Sequence, residues 1–303
     1  MKKVGLIGCG VMGQGIATNL RANGYEVCVY DNNPNIAEWC RANGFALSAS
    51  PKELGREVNV VVTSLPGPAI VKEVLLGEDG VCATLQPNSC ILDMSTIDPV
   101  TSRELFDQAR EKQIHFFDCP VSGGPAGAHS GTLTIMVGGD ESKLPAVRPL
   151  LDTMGKDIIY VGQAGAGQIA KLSHNMLVAA ITVGLAEAFA VGSKAGVSPE
   201  TLAKVIDSGT AHNRVLAVFG PTMLEGTFEQ VKFSLGHMHK DISLYTKTAF
   251  DYGVPSFVGS LVAQVYESAK ANGKGHLDSS AVYQTILEMA NMTQCSHHGK
   301  KGG

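Results

Sequence analysis

Lys3 to Ile7 (KVGLI) is a short apolar run suited to a fully buried parallel strand. It ends in Gly8-Cys9-Gly10-Val11-Met12-Gly13, before a helical pattern through Ile16, Ala17 and Leu20. Few folds accept a strand, a glycine turn and a helix in that order. The arrangement suits a dinucleotide: Gly8 makes the tight turn, and Gly10 lets the backbone approach a pyrophosphate on the helix N-terminus beside Val11 and Met12. Gly13 lets the helix lie close to the strand. GxGxxG alone is a weak signal, and its context strengthens it. A second strand, Glu26 to Tyr30, closes in Asp31 about twenty residues after the glycines, where a carboxylate bonds the adenine ribose.

Asp31 also bears on cofactor choice. A carboxylate accepts from a free ribose 2′-hydroxyl but repels a 2′-phosphate, and Asn32-Asn33-Pro34 brings no arginine. NAD is therefore expected over NADP. The competing reading is that Asp31 merely caps a helix beginning near Pro34.

Strand and helix patterns go on alternating: strands at Val58–Ser64, Ser89–Asp93 and His115–Asp118, with helices at Pro68–Leu76 and Pro99–Lys112. That predicts a doubly wound parallel sheet, in which ligands bind outside the carboxyl ends of the strands. Those ends carry Ser64-Leu65-Pro66, Asp93-Met94-Ser95-Thr96 and Asp118-Cys119-Pro120-Val121-Ser122-Gly123-Gly124. Ser122 to Ala128 is so rich in small residues that its amides could form an anion nest for a carboxylate; a flexible loop explains it equally well. A strand at Thr132–Gly138, a helix at Glu141–Met154 and a strand at Lys156–Val161 complete a first domain over residues 1–163.

Residues 164–292 read as all-helical, with helices at Pro199–Asp207, Gly236–Tyr252, Ser256–Asn272 and Ser279–Met289 after a long one from Gly165 to Ala190. In that long helix Lys171, His174 and Asn175 stand at i, i+3 and i+4, on one face. The rest of the helix, Met176 to Phe189, is apolar except for Thr182 and Glu187, as in a buried strut. Residues 293–303 read as a polar, disordered tail, in which Cys295, His297 and His298 offer no preformed metal site.

A net charge of −4 and a pI near 6.1 leave no basic surface for nucleic acid or anionic lipid. Seven scattered cysteines without a Cys-x-x-Cys read as reduced thiols in a cytoplasm, and no metal site is expected. Glycines interrupt the N-terminal apolar run, and Thr182, Gly184 and Glu187 interrupt the long helix, so no membrane segment is expected.

Five segments together resemble the β-hydroxyacid dehydrogenase family: GLIGCGVMGQGIATNL (5–20), DMSTIDP (93–99), DCPVSGGPAGAHSGTLTIMVGG (118–139), GAGQIAKLSHN (165–175) and HKD (239–241). The family includes 3-hydroxyisobutyrate, tartronate semialdehyde and 4-hydroxybutyrate enzymes. The resemblance implies an α/β N-terminal Rossmann domain followed by an all-α domain joined by a long interdomain helix. It also implies a homodimer or homotetramer built through the helical domains, and a small carboxylate-bearing substrate. By position, Lys171 matches the catalytic lysine, Asn175 the second asparagine of K-x-x-N-N, and Ser122, Gly123 and Gly124 the carboxylate clamp. Thr96 corresponds to a residue at the nicotinamide ribose, Leu65 and Pro66 lie along the cofactor, and Lys240 near the nicotinamide, with Asp241 holding Lys240 or the end of the site.

The chain departs from the pattern at Cys9, where a leucine is usual, and at His174, where the first asparagine is usual. K-x-x-H-N is similar to the lysine, histidine and asparagine of 6-phosphogluconate dehydrogenase. A histidine there can donate to an additional polar group of the substrate. The implied reaction is reversible oxidation of a short hydroxy acid to its semialdehyde by hydride transfer, with Lys171 as base, its pKa lowered by burial and the cationic nicotinamide. Two rivals use the same scaffold: an NADPH-dependent imine or semialdehyde reductase, and a dinucleotide-binding protein without catalysis.

Overall fold

A computed structural model describes residues 3–292, so the tail read at 293–303 lies outside the described residues. The chain forms two compact units, Met1–Lys171 and Leu172–Gly303. The division falls inside the long helix, where the sequence reading set it just before, at 163/164.

The first unit holds β1 (Lys3–Ile7), α1 (Val11–Ala22), β2 (Glu26–Tyr30), α2 (Pro34–Ala42), β3 (Ala46–Leu47), α3 (Pro51–Glu57), β4 (Val60–Thr63), α4 (Pro68–Leu76), β5 (Cys90–Asp93), α5 (Pro99–Glu111) and β6 (His115–Asp118). β7 (Val121–Ser122), α6 (Gly124–Ser130), β8 (Leu133–Gly138), α7 (Leu144–Met154) and β9 (Gly155–Gly162) come next. The sheet order is β3-β2-β1-β4-β5-β6-β8-β7, with β9 paired to β8. From β3 to β6 every pairing is parallel, and the apolar runs of β1, β4 and β5 are buried on both faces.

The expectation of a parallel sheet fails beyond β6: β8 runs antiparallel to β6 and to β7. The connection explains it. A parallel return needs a crossover of a dozen or more residues, usually a full helix. Here the connection, residues 119–132, is divided between β7, which pairs antiparallel with β8, and the seven-residue α6, so no single helix carries the chain back across the sheet. The eleven-residue α7 then suffices for a parallel crossover to β9.

α8 (Ala166–Lys194) runs from the first unit into the second, which adds α9 (Pro199–Ser208), α10 (Arg214–Glu225), α11 (Leu235–Asp251), α12 (Phe257–Ala271) and α13 (Val282–Met289). Among the described residues the second unit has no named strand, as expected. α10 was not foreseen. Gly220-Pro221 reads as a breaker in sequence, yet Asn213 caps the helix by accepting from Leu216 N at 2.8 Å, and Leu216, Phe219 and Met223 are buried. By length and composition α8 is apolar enough to cross a membrane, contrary to the sequence reading. Its Ala179, Val183, Ala186 and Phe189 instead belong to the core of the second unit, with Phe228, Tyr266 and Tyr283.

Two carboxyls close the carboxyl ends of β5 and β6. Asp93 and Asp118 are register partners, and both are fully buried. Asp118 Oδ1 accepts from Gly165 N at 2.8 Å and Oδ2 from Gln168 N at 3.0 Å, which ties the strand end to the start of α8. Asp93 Oδ1 accepts from the Thr63 hydroxyl at 2.6 Å and from Ser95 N at 3.1 Å, while its Oδ2 has no partner. Burial, only partly offset by those bonds and reinforced by Asp118, pushes the Asp93 carboxyl up to about 6.

A carboxyl raised on folding binds its proton more tightly in the native state. Stability therefore falls as pH rises through the window from the unfolded value, 3.8, to about 6, and is flat above it. Urea unfolding at a series of pH values should show a loss on the order of 2–3 kcal/mol across that window from this group. Asp93→Asn should remove that component and leave the one of the same sign from Asp118.

Candidate active site

α1 begins without a side-chain cap and without an acidic residue in its first turn, so the amides at Val11, Met12 and Gly13 face the space beyond Gly10 uncapped. The glycines divide the work. Gly8 has φ +88°, and a Cβ there would lie 2.3 Å from Ser64 O; a Cβ on Gly13 would lie 2.2 Å from Gly8 O. At Gly10 a Cβ would meet nothing within 4 Å. Open space at an uncapped helix start is what a pyrophosphate requires, so these residues fit a dinucleotide. Asp31 holds the turn from the far side: Oδ2 accepts from Cys9 N at 2.7 Å and Oδ1 from Asn33 N at 2.9 Å. It does not cap α2; Asn33 does, accepting from Asn35 N. Each Asp31 oxygen keeps a lone pair for a ribose hydroxyl, and Asn32 is exposed beside it.

The next strand ends form a second part of the same unit. Ser95 Oγ accepts from Leu65 N at 2.9 Å, joining the loop of Leu65 and Pro66 to the loop of Thr96. Gln168, fully buried on α8, donates from Nε2 to Ser95 O at 3.0 Å and accepts at Oε1 from Ile97 N at 3.1 Å, so Thr96 is held between two bonds.

Ser122 to Ala128 is not the flexible loop that was one of its two sequence readings. Ser122 pairs with Thr134 in β7, and α6 starts at Gly124. Gly123 has φ +129° and Gly124 φ +60°, so only glycine turns the chain there without strain. α6 is bound to α1: a Cβ on Gly15 would lie 2.7 Å from Ala128 C, and Asn19 Nδ2 donates to His129 O at 3.1 Å. The Ser122 segment and the glycine turn therefore share one rigid frame.

On α8 the three polar residues hold the expected spacing. Lys171 is buried, with 7% of its surface exposed, and so is Asn175; His174 is partly exposed. Asn175 Nδ2 donates to Asp241 Oδ2 at 2.6 Å, and Asn175 Oδ1 lies 3.0 Å from His174 Nδ1. Lys240 Nζ lies 3.1 Å from Asp241 Oδ1, an ion pair without hydrogen-bond alignment. The expectation that Asp241 holds Lys240 is met, and Asp241 holds Asn175 as well. His239 pairs with Glu267, and Ser234 with His237. Among the described residues no three His, Cys, Asp or Glu side chains gather into a metal site, and the six cysteines are buried thiols.

Residues 3–162 match the family described as the NAD binding domain of 6-phosphogluconate dehydrogenase, and residues 165–286 that described as NAD-binding of NADP-dependent 3-hydroxyisobutyrate dehydrogenase. A probable mitochondrial 3-hydroxyisobutyrate dehydrogenase of Dictyostelium discoideum is 37% identical, over 94% of this chain and 91% of its own length. The chain belongs to the β-hydroxyacid dehydrogenase family. An NAD-dependent L-serine dehydrogenase of Pseudomonas aeruginosa is 35% identical, over 93% of this chain and 97% of its own. The solved structure of Mycobacterium tuberculosis 3-hydroxyisobutyrate dehydrogenase with L-serine superposes with a TM-score of 0.87 at 34% identity, over 94% of this chain and 99% of that one. Membership makes the chain a nicotinamide-dinucleotide-binding oxidoreductase of the hydroxy acid dehydrogenase kind.

Sequence reasoning missed Gln168, which stands one turn before Lys171 in a run that reads as helix surface; its polarity at a buried register position was the available signal. The glycine roles can be separated. Gly10→Ala should keep the melting temperature within about 2 °C, since its Cβ meets no protein atom, yet weaken NADH binding about tenfold or more. Gly13→Ala should cost about 1–3 kcal/mol or more by forcing α1 off Gly8. Fluorescence titration and thermal melts of both variants check this, and unimpaired binding by Gly10→Ala would remove the phosphate turn from the site.

Proposed function

We propose that the chain is an NAD-dependent dehydrogenase interconverting a short β- or γ-hydroxy acid and its semialdehyde, with Lys171 as the general acid and base. The observation that carries this reading is a lysine buried on a helix whose first turn is bonded to two strand ends, by Asp118 and by Gln168. A lysine placed at such cost in solvation and held so firmly is suited to proton transfer at a fixed point.

When bound, the nicotinamide supplies the two-electron acceptor. In oxidation Lys171 Nζ takes the carbinol proton, and in reduction it returns it. Ser122 and the amides of Gly123 and Gly124 suit the substrate carboxylate, because the two glycines carry no side chains and Gly123 is exposed. Asn175 orients the reacting oxygen, its own orientation set by Asp241. The preference for NAD rests on Asp31, whose two oxygens are held against the glycine turn where a 2′-phosphate would be repelled.

Initial rates with NAD and NADP against a panel of short hydroxy acids and cyclic imines, beside Lys171→Ala, test this. Turnover of a hydroxy acid with NAD is expected, falling about 100-fold or more in the variant while NADH binding persists. Turnover of imines alone would replace the reading by the reductase, and binding without turnover by the non-catalytic protein.

The assembly partner in this reading is a second copy of the chain. Phe250, Tyr252, Val254, Phe257, Val258 and Leu261 are all exposed around the α11–α12 turn, Phe257 by 85% and Phe250 by 83%. A contiguous set of exposed aromatic and aliphatic side chains is what an interface between copies buries. No charged side chain lies between Asp251 and Glu267, so the patch complements itself in an isologous contact. Light scattering should give a multiple of the 31.8 kDa chain mass for the native protein and a lower mass for Phe257→Glu with Leu261→Lys. An unchanged mass would move the contact elsewhere.

A further inference from the structure

Gln168 is fixed at both ends. Its backbone is pinned to the end of β6, where Asp118 Oδ2 accepts from Gln168 N at 3.0 Å, and its side chain reaches the loop after β5. There Nε2 donates to Ser95 O at 3.0 Å and Oε1 accepts from Ile97 N at 3.1 Å. A carbonyl only accepts and an N–H only donates, so the Gln168 amide has one permitted orientation. The two bonds flank a single residue, Thr96. Ser95 and Ile97 are buried, with 3% and 0% of their surface exposed, whereas Thr96 between them is partly exposed, so the clamp turns Thr96 outward.

The clamp extends to the neighbouring strand end. Ser95 N donates to Asp93 Oδ1 at 3.1 Å, and Ser95 Oγ accepts from Leu65 N at 2.9 Å, so Ser95 is held through its nitrogen, its carbonyl and its hydroxyl at once. Displacing the Gln168 amide therefore shifts Leu65 as well as Thr96.

The order of the sheet decides which part of a dinucleotide these two residues meet. From β2 through β1 and β4 to β5 the strands are successive neighbours. In the proposed function Asp31, after β2, takes the adenine ribose, and the glycine turn after β1 takes the pyrophosphate. The nicotinamide half then continues over the ends of β4 and β5, which carry Leu65 and Thr96. We infer that Gln168 is a positioning residue for the nicotinamide half of the cofactor, acting through Thr96 and Leu65 and leaving the adenosine half unaffected. This inference rests on that placement of the dinucleotide, and it requires neither Lys171 nor a substrate.

The test compares two ligands by titration calorimetry: NADH, and ADP, which ends at the pyrophosphate. Gln168→Met keeps an unbranched chain of the same length and loses both side-chain bonds. The variant should bind NADH about tenfold more weakly, the scale of one neutral hydrogen bond, and ADP within about twofold of the native protein. A loss of structure would not separate the two ligands. Gly10→Ala, at the pyrophosphate turn, should weaken both. Should Gln168→Met not fold, the native protein supplies a second measurement, because the Ile97 amide proton is the one donated to Gln168. If the clamp supports the nicotinamide half, that half must in turn stabilise the clamp. Exchange of the Ile97 amide, followed by NMR, should slow by about tenfold with saturating NADH and change by less than about twofold with ADP.

Undiminished NADH affinity in Gln168→Met, a loss for ADP as large as that for NADH, or an Ile97 amide indifferent to NADH would each overturn the inference and leave the proposed function standing. Failure of the native protein to bind NADH would overturn both.

Discussion

The first unit depends on one carboxylate. Asp118 ends β6, and both of its oxygens go to amides at the start of α8, Gly165 N and Gln168 N. A helix leaves its first amides unsatisfied, and a buried helix start needs an acceptor there. A carboxylate is the strongest acceptor available and also meets the positive end of the helix dipole. Burial raises the pKa of the Asp118 carboxyl and the amide bonds oppose that rise, so the charge is carried at the expense of desolvation. The close approach this needs is visible at Gly167, where a Cβ would sit 2.7 Å from Asp118 Oδ2 and from Met136 O. Any side chain at that position would separate helix from strand.

From that joint the arrangement spreads outward. Gln168 extends it to Ser95 and Ile97, Ser95 extends it to Leu65, and Asp93 gathers Thr63 and Ser95 beneath them. The loops read as lining the cofactor are thus fastened to the same helix that carries Lys171. The start of that helix is held by bonds made one turn before the lysine, which fixes the backbone that carries it. Most of these groups are fully buried and reciprocally satisfied, which favours one arrangement over many. The exception is Asp93 Oδ2, and its cost appears as a carboxyl that holds its proton to near neutral pH.

How much of this could be read in the chain depends on the range of each interaction. The glycine turn, Asp31 and the i, i+3, i+4 face of Lys171, His174 and Asn175 are local patterns, and local geometry decides them. The strand spans β1, β2, β4, β5 and β6 are apolar runs whose type is fixed by burial, whereas the two-residue, poorly buried β3 gives no such signal. The reversal of β8 was not legible because it turns on how residues 119–132 divide between β7 and α6, and Gly124 to Ser130 carries no helical periodicity to reveal it. α10 was hidden by Gly220-Pro221, a pair that local rules count against a helix although Leu216, Phe219 and Met223 bury its face. The bond from Asn175 to Asp241 spans 66 residues, and no periodicity can announce it.

That long-range bond changes how the site residues should be weighed. Read from the helix alone, Asn175 is a free amide that can present either end to a substrate, and His174 a ring that can present either nitrogen. Once Asp241 takes one amide hydrogen, Asn175 has one hydrogen and one oxygen lone pair remaining, and His174 loses its freedom of tautomer. A substitution at Asp241 would therefore act on two polar groups of α8, one of which it does not touch. The chemistry of such a site resides less in the list of polar residues on one helical face than in the acceptor, contributed by another helix, that decides which of their atoms point outward.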